Sequence, residues 1–420
     1  MTPSAPPDLL WIATTQWRAQ ALGCAGDGNA RTPYLDALAA RSTNFRQAVT
    51  PHPFGPFARA ALLTGVPSPR NGVRDYFDPL PRESRTVAHE LAAAGYGTAF
   101  FGKWHLSARD PRLPLVGEAQ ARLLVAPEDR GGFEFWEGFE GGFLLNNPWL
   151  HGSRLEVPRQ FPGYQSEVLA QRTAGWIAER NAAHPRQPWF VLLSLEAPHP
   201  PYGENAPGGG AHDPSTLQLA PNVPRGGDVE QRVRRELAGY HRHIEATDRA
   251  LGDLVSTVDA AARAAGRPCP LIVFTSVHGD MHGAHGLFRK GWPHEESVRV
   301  PLLVRRPGVP PAVSNEPVSL LDLGRLTAGW AGVAPLPPPA VAASISMPSV
   351  VRLPDQCDRI WSGIRTATRK LVWDEAGAPW LYFDLERDPG ELSNLAADPA
   401  RQEEIRQLRR QGRALSETGA

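Results

Sequence analysis

The sequence is poor in cysteine, in net charge and in long apolar runs, and each shortage excludes a class of protein. Its 420 residues include only Cys24, Cys269 and Cys357, an odd and widely spaced set that argues against a disulfide framework. The 44 Lys and Arg balance the 44 Asp and Glu, whereas a nucleic-acid-binding surface needs a clustered basic excess. No run of 18 apolar residues could span a membrane, and residues 1–7 lack signal-peptide character. We therefore expect a cytoplasmic protein that binds neither nucleic acid nor membrane.

What the sequence does contain is an alternation of short apolar runs with amphipathic segments. Strands are predicted at residues 9–13, 98–101, 189–195 and 271–275, and helices at residues 32–41, 86–94, 165–181 and 230–258. Near-continuous apolar strands that alternate with helices are typical of a parallel sheet covered on both faces. The predicted fold class is α/β, with a large, mostly parallel sheet sandwiched by helices.

Two segments are predicted to be loops because of their composition. Residues 203–228 are rich in Gly, Pro and Asn, and residues 334–348 contain three consecutive prolines. The pattern changes after the second segment, where three short apolar runs precede a charged final helix. We therefore expect an α/β domain over residues 1–345 and a C-terminal subdomain of antiparallel strands and one helix over residues 346–420.

Chemically active side chains follow four of the predicted strands. They lie in residues 14–16, 102–105, 197–200 and 277–280. In open α/β sheets, ligands bind beyond the carboxyl ends of the strands, so these segments are expected to share one edge. Residues 52–65 form a Pro- and Gly-containing loop that enters a helix, whose first free N–H groups favour an anion. One histidine in such a place more often caps or packs, but several at one edge indicate an anion-binding or acid–base site.

Six segments of the chain carry a family resemblance. They are TPYLDALAARSTNFRQAVT, RAALLTG, TVAHELAAAGYGTAFFGKWHL, HGDMHGAHGLFRKG, HEESVRVPLLVRRPG and LYFDLERDPGELSNLA. In their order and spacing they resemble the sulfatase family of the alkaline phosphatase superfamily along nearly the whole chain. The resemblance implies that family's α/β fold, its small C-terminal antiparallel sheet, a formylglycine nucleophile made from Cys or Ser, and a calcium-like divalent ion.

The chain departs from the family at the nucleophile. RAALLTG aligns the family's C/S-x-P-x-R motif with residues 55–59, so Gly55 stands where the family has the Cys or Ser that becomes formylglycine. Glycine has no side chain to oxidise, and no Ser, Thr or Cys lies between His52 and Arg59. Because covalent catalysis needs a nucleophilic atom, the formylglycine route is predicted to be closed.

The acidic metal ligands of the family are also replaced. By the resemblance, two Asp after the first strand and an Asp with His or Asn after a later strand correspond to Thr14, Thr15, Val277 and His278. Hard cations need several carboxylate or carbonyl oxygens. We therefore expect no calcium or magnesium ion at these positions.

The residues that contact the sulfate group in the family are retained by the same resemblance. Arg59, Lys103 and Lys290 are expected to form a cleft that binds a small anion bearing a sulfate, phosphate or carboxylate group, and His105, His199 and His278 are the candidate acids or bases. Histidine also suits zinc, nickel or copper, and His278, Asp280, His282 and His285 lie within eight residues. The glycines between them deny a regular helix, so this cluster is only a secondary candidate for a transition metal.

These observations favour a pseudo-sulfatase that retains an oxyanion-binding cleft, acting as a ligand-binding protein or as the partner of an intact sulfatase. Two alternatives stay open. In one, His105, His199 or His278 performs acid–base chemistry without a covalent intermediate. In the other, the protein hydrolyses sulfate or phosphate esters by activating water directly, with or without a histidine-bound metal.

Overall fold

The computed structural model describes residues 6–418. The strands are Leu9–Thr14 (β1), Thr43–Val49 (β2), Gly97–Lys103 (β3), Phe135–Phe139 (β4), Trp149–Gly152 (β5), Leu155–Gln160 (β6), Trp189–Ser194 (β7), Leu271–Ser276 (β8), Leu302–Arg305 (β9), Ala312–Ser319 (β10), Ala342–Met347 (β11), Trp361–Thr366 (β12), Arg369–Asp374 (β13) and Pro379–Asp384 (β14). The α-helices are Pro33–Ala39 (α1), Gly55–Thr64 (α2), Val87–Ala93 (α3), Glu118–Ala121 (α4), Gln165–Ala183 (α5), Gly227–Ala264 (α6), Glu295–Val298 (α7), Leu323–Trp330 (α8) and Gln402–Thr418 (α9).

Ten strands form one large sheet in the order β10-β2-β9-β8-β1-β7-β3-β4-β5-β6. The five central strands β8, β1, β7, β3 and β4 are parallel, whereas β9, β5 and β6 pair antiparallel with their neighbours. A parallel centre brings the carboxyl ends of its strands to one edge, which is where polar residues follow them in the sequence. The predicted fold class is confirmed.

Strand β1 shows why the sheet is covered on both faces. Its alternate residues Leu9 and Trp11 pack into one hydrophobic core, and Leu10 and Ile12 pack into the other. The first core also contains side chains of α2, α3 and α8, and the second contains side chains of α1, α5 and α6. Since side chains alternate between faces along a strand, a continuous apolar run such as LLWIA requires this double cover.

The small antiparallel sheet has the order β11-β12-β13-β14 and packs against α9. Its first strand, β11, lies inside residues 334–348, so the prediction of a loop over that whole segment is wrong. The cause is the cluster of prolines at 337–339, which precedes the strand and hides its short alternating pattern. The expected domain boundary between residues 345 and 346 consequently falls within β11.

The other predicted elements agree with the structure to within a few residues. The largest extension is α6, which continues for 38 residues and therefore starts inside the segment 203–228 that was predicted as a loop. The remaining part of that segment is irregular apart from a short 3-10 turn at Pro214–Thr216. Every helix within residues 6–418 is too short or too polar to cross a lipid bilayer.

Candidate functional site

The site is built where β1, β3, β7 and β8 end. These four strands terminate at Thr14, Lys103, Ser194 and Ser276, in adjacent positions of the sheet. Helix α2 starts at Gly55 beside the same edge, and its buried Arg59 contacts residues of three strands or the loops after them. The side chains described next are almost fully buried, apart from the partly buried Phe143 and His285.

Gly55 is the first residue of α2 and is itself buried. A Cβ atom added at this position would lie 3.0 Å from Nδ1 and 3.3 Å from Cε1 of His105. His105 Nε2 lies 3.3 Å from the Tyr76 hydroxyl, and its Nδ1 has no hydrogen-bond partner within residues 6–418. The unpartnered ring nitrogen therefore faces the space that a side chain at position 55 would take.

The Arg59 guanidinium is held by the strand ends. Nη1 donates to the Lys103 carbonyl (3.1 Å) and to Ser194 Oγ (2.5 Å), and Nη2 donates to Thr15 Oγ1 (2.8 Å). Burial lowers the pKa of Arg59 to about 10, so the group remains charged at neutral pH. These bonds fix one positive charge at the floor of the site.

Lys103 forms a buried ion pair with Glu196. Its Nζ lies 2.6 Å from Glu196 Oε1 and 4.5 Å from the centre of the Phe143 ring. Burial lowers the pKa of Lys103, and the Glu196 carboxylate opposes that shift. Glu196 Oε2 accepts no hydrogen bond from any side chain or backbone group in the described part of the chain. The site therefore contains a carboxylate oxygen as well as cations.

Lys290 and His199 form a second polar pair. Lys290 Nζ donates to Gln16 Oε1 (2.5 Å) and to His199 Nε2 (2.8 Å), while His199 Nδ1 donates to the carbonyl of the next residue (2.7 Å). The His199 ring stacks on Phe143 at 4.6 Å. Burial, and then the Lys103 ammonium, lower the pKa of Lys290 to about 7. Burial also lowers the pKa of His199, with a contribution from Lys290.

The residues at the positions where the sequence resemblance implies metal ligands do not fit a calcium-type ion. The Thr14 hydroxyl donates to the Thr275 carbonyl of β8 (3.2 Å), and the Thr15 hydroxyl donates to the carbonyl of Leu195, just after β7 (2.8 Å), and accepts from the Arg59 guanidinium. Val277 has no ligand atom in its side chain. Hard divalent cations prefer carboxylate oxygens, and a guanidinium at the same place repels them. His278 alone keeps a ligand atom, because its Nδ1 donates to the Gly279 carbonyl (2.9 Å) and its Nε2 has no partner within residues 6–418.

The histidines of the secondary metal candidate are not gathered into one site. His282 packs on Tyr240, with 4.3 Å between ring centres, whereas His285 stacks on His294. Among the described residues, the single group of three His, Cys, Asp or Glu side chains with ligand atoms within 4.8 Å of one another is His285, His294 and Glu391. His278 and His282 do not belong to it.

The sequence assigns no role to three residues of the site, although one of them, Gln16, lies in the segment 14–16 that it predicts at the sheet edge. Glu196 neutralises Lys103, Gln16 accepts from Lys290, and Phe143 carries the His199 ring. A signal was present for the first two, since Gln16 follows the β1 end and Glu196 stands two residues after β7. Phe143 lies in a glycine-containing segment after β4, and nothing in its local sequence distinguishes it.

The arrangement can bind an oxyanion and can move a proton, but it offers no nucleophilic side chain at position 55. Arg59 and Lys290 supply positive charge, and burial lowers the pKa values of His105 and His278 well below the ordinary histidine range. Both imidazoles are therefore neutral at pH 7. His278 Nε2 then presents a lone pair, which can accept a hydrogen bond or a proton but carries no positive charge for an anion.

Comparison of the sequence and the fold with known proteins identifies a family. The sequence model of the sulfatase family matches residues 7–333. The chain is 31% identical to an ulvan-active sulfatase of Formosa agariphila, over 94% of this chain and 78% of that protein. It is 28% identical to a choline-sulfatase of Rhizobium meliloti, over 94% of this chain and 83% of that protein. Among solved structures, yidJ from Bacteroides fragilis superposes with a TM-score of 0.85 at 23% identity, over 100% of this chain and 97% of that one, which is a likeness of fold. The chain therefore belongs to the sulfatase family of the alkaline phosphatase superfamily.

Proposed function

We propose that this protein is a pseudo-sulfatase that has lost the formylglycine nucleophile and the acidic metal ligands and keeps a cleft for a small oxyanion. The observation that carries the proposal is Gly55 at the start of α2, where an added Cβ would meet the His105 ring at 3.0 Å. The position holds no formylglycine precursor, and a side chain there would require the His105 ring to shift by a few tenths of an ångström. The ligand would carry a sulfate, phosphate or carboxylate group.

The charge of the cleft supports oxyanion binding. Arg59 is charged and fixed, and Lys290 is a buried amine without an ion-pair partner among the described residues. A guanidinium supplies a planar fork for an oxyanion and an ammonium supplies a point charge, so the two act together on one anionic group. A cytoplasmic location and a role beside an intact sulfatase are parts of the same proposal.

One observation favours a second candidate function. The unpartnered Nε2 of the buried His278 is a proton acceptor at the sheet edge, which suits a general base in formylglycine-independent hydrolysis of a sulfate or phosphate ester. In that case turnover would require no formylglycine and would be lost in His278→Gln, whereas binding of the anion would survive.

The test is turnover of an aryl sulfate and an aryl phosphate, with and without calcium. We expect none from the unmodified protein, and none from Gly55→Cys co-expressed with a formylglycine-generating enzyme, because Thr14, Thr15 and Val277 supply no carboxylate. Calorimetric titration with sulfate provides the second readout, and we expect binding at millimolar concentrations.

The outcomes separate the two candidates. Calcium-dependent turnover by the unmodified protein would contradict the pseudoenzyme proposal. Calcium-independent turnover that His278→Gln abolishes would establish the second function. Absence of both turnover and sulfate binding would mean that the cationic residues are inherited scaffold.

A further inference from the structure

A cluster outside the cleft joins three distant parts of the chain. His285 lies in the loop after β8, His294 immediately precedes α7, and Glu391 follows β14 in the C-terminal unit. Their ligand atoms lie within 4.8 Å of one another, and His294 Nδ1 is 3.2 Å from Glu391 Oε2. His285 is half-buried, so the cluster is accessible from solvent.

A neighbouring carboxylate has no cationic partner in the described part of the chain. Glu296 is only 7% exposed, its Oε1 accepts from Asn222 Nδ2 (2.8 Å), and its Oε2 has no partner among residues 6–418. The same Asn222 amide donates to His285 Nε2 (3.2 Å), so this carboxylate is one side chain away from the cluster. Asn222 Oδ1 is also without a partner in the described chain. A buried carboxylate without a counter-ion is costly.

The other charges of the region are already paired. Lys370 forms ion pairs with Glu295 (3.2 Å) and with Glu391, and Arg365 pairs with Glu295 (3.0 Å). None of the ion pairs seen within residues 6–418 involves Glu296. A further cation beside His285 would therefore balance the negative charge of Glu296, which forms no ion pair with a cation of residues 6–418.

We propose that His285, His294 and Glu391 form a binding site for a transition-metal ion of the zinc type. Two imidazoles and one carboxylate are a zinc ligand set, completed by a water molecule, and they are poorly suited to calcium or magnesium. Glu296 lies one side chain away, beyond Asn222, and its carboxylate offsets the charge of the ion. The site is separate from the cleft and does not depend on its function.

Binding requires a small rearrangement. The rings of His285 and His294 stack with 4.2 Å between their centres and 23° between their planes, and an imidazole lone pair lies in the plane of its ring. One ring must therefore turn, and the half-buried His285 is the freer of the two. Lys370 keeps Glu295 as a partner when Glu391 directs an oxygen to the ion.

The location gives the ion a structural role. His285 and His294 stand at either end of the segment that carries Lys290 into the cleft, and Glu391 belongs to the C-terminal unit. An ion bound by all three residues would fasten both ends of this segment to the C-terminal unit. We therefore expect it to raise the melting temperature and to limit the movement of Lys290.

The test uses the full-length protein after chelation and dialysis. Zinc is titrated by calorimetry, its stoichiometry is measured by elemental analysis after gel filtration, and a thermal melt follows each addition. We expect one zinc per chain and a higher melting temperature. His285→Gln is expected to weaken zinc at least about tenfold, which is the scale of losses from residues around metal sites. His184→Gln, which removes an exposed histidine elsewhere, should bind like the wild type.

Two further variants keep the result interpretable. Replacing Glu391 would also break its ion pair with Lys370, so His294→Gln serves as the second ligand variant. Its circular dichroism spectrum is compared with that of the wild type to confirm that it folds. His278→Gln tests the cleft, and we expect it to leave zinc binding unchanged. The proposal is overturned if the wild type binds no zinc, if His285→Gln binds it as tightly as the wild type, or if His278→Gln abolishes binding.

Discussion

Part of the positive charge of the site is neutralised by a carboxylate of the protein itself. Several buried cations at one sheet edge repel one another unless they bind an anion or have counter-charges, and the structure supplies a counter-charge in Glu196. The histidines add none, since burial holds the pKa values of His105, His199 and His278 well below the ordinary range. Lys290 is the residue whose charge changes near neutral pH.

The first prediction concerns the Lys103–Glu196 pair. Lys103→Met leaves a fully buried carboxylate without its cation, which typically costs about 3–5 kcal/mol of the free energy of unfolding. The double variant Lys103→Met/Glu196→Gln removes both charges and should recover most of that loss. Urea denaturation of the two variants and the wild type measures the difference. Equal unfolding free energies for the wild type and Lys103→Met would show that the pair contributes nothing.

The second prediction is the pH dependence of anion binding. With a pKa of about 7, Lys290 is mostly charged at pH 6 and mostly neutral at pH 8, so sulfate affinity should fall about tenfold over that interval. The groups that face it are Lys103, Glu196, Asp280, Arg289 and His199. Calorimetry at both pH values measures the fall.

Lys290→Arg is the matched control for this prediction, because a guanidinium stays charged over the whole interval and should bind sulfate almost independently of pH. An equal pH dependence in this variant would instead assign the titration to the histidines.

The stability of the ligand-free protein should change with pH in the direction opposite to that of the sulfate affinity. The unfolded chain holds the Lys290 proton up to about 10.4, so this residue makes the fold more stable as pH rises from about 7 to about 10.

At the scale of elements, the strands that build the site could be predicted and the strands at the sheet margins could not. β1, β7 and β8 are continuous apolar runs because both faces are covered, and this gives them a pattern that a short sequence window can show. β2 and β6 are mixed or polar in composition, and their partners alone establish them as strands. The sequence of a polar strand near the edge of a sheet looks like that of a loop, and only its pairing with a neighbouring strand identifies it.

The third prediction concerns the approach of β3 to β7. Gly102 has a φ of +102°, and a Cβ there would collide with the Ser194 carbonyl oxygen, so Gly102→Ala must push the two strands apart and move Lys103. We expect a loss of more than about 4 kcal/mol, in the range of severe core substitutions.

Gly95 provides the matched control, since its φ is +90° and no atom of residues 6–418 lies within 4 Å of an added Cβ. Gly95→Ala should therefore cost only the backbone conformation, about 1–2 kcal/mol. Thermal or urea unfolding of both variants gives the comparison. Similar losses for the two would mean that the close approach of the strands is unimportant.

At the scale of the whole molecule, the sequence locates the site but does not establish its electrostatics. Polar residues after parallel strands predict a common edge, and Arg59, Lys103 and Lys290 can be placed there from their motifs. The pairing of Lys103 with Glu196 depends on distance, and the sequence offers only that Glu196 follows β7. The cluster of His285 with His294 and Glu391 depends on how the C-terminal unit packs. The local sequence around residues 278–285 contains no information on that packing.

The fourth prediction is that calcium and magnesium leave global stability unchanged. The Thr14 and Thr15 hydroxyls donate to backbone carbonyls, Val277 offers no ligand, and the Arg59 guanidinium contacts Thr15. A hard cation therefore gains no carboxylate and meets a positive charge. An ion that binds the folded state at 100 times its dissociation constant would add about 2.7 kcal/mol, which a melt detects readily. Chelated protein with and without millimolar calcium should therefore melt at one temperature.

Thr14→Asp/Thr15→Asp is the informative variant, because it restores two carboxylates beside the same guanidinium. A calcium-induced rise of several degrees in the wild type would contradict the prediction, whereas a rise confined to the double variant would identify the missing carboxylates as the reason the ion does not bind.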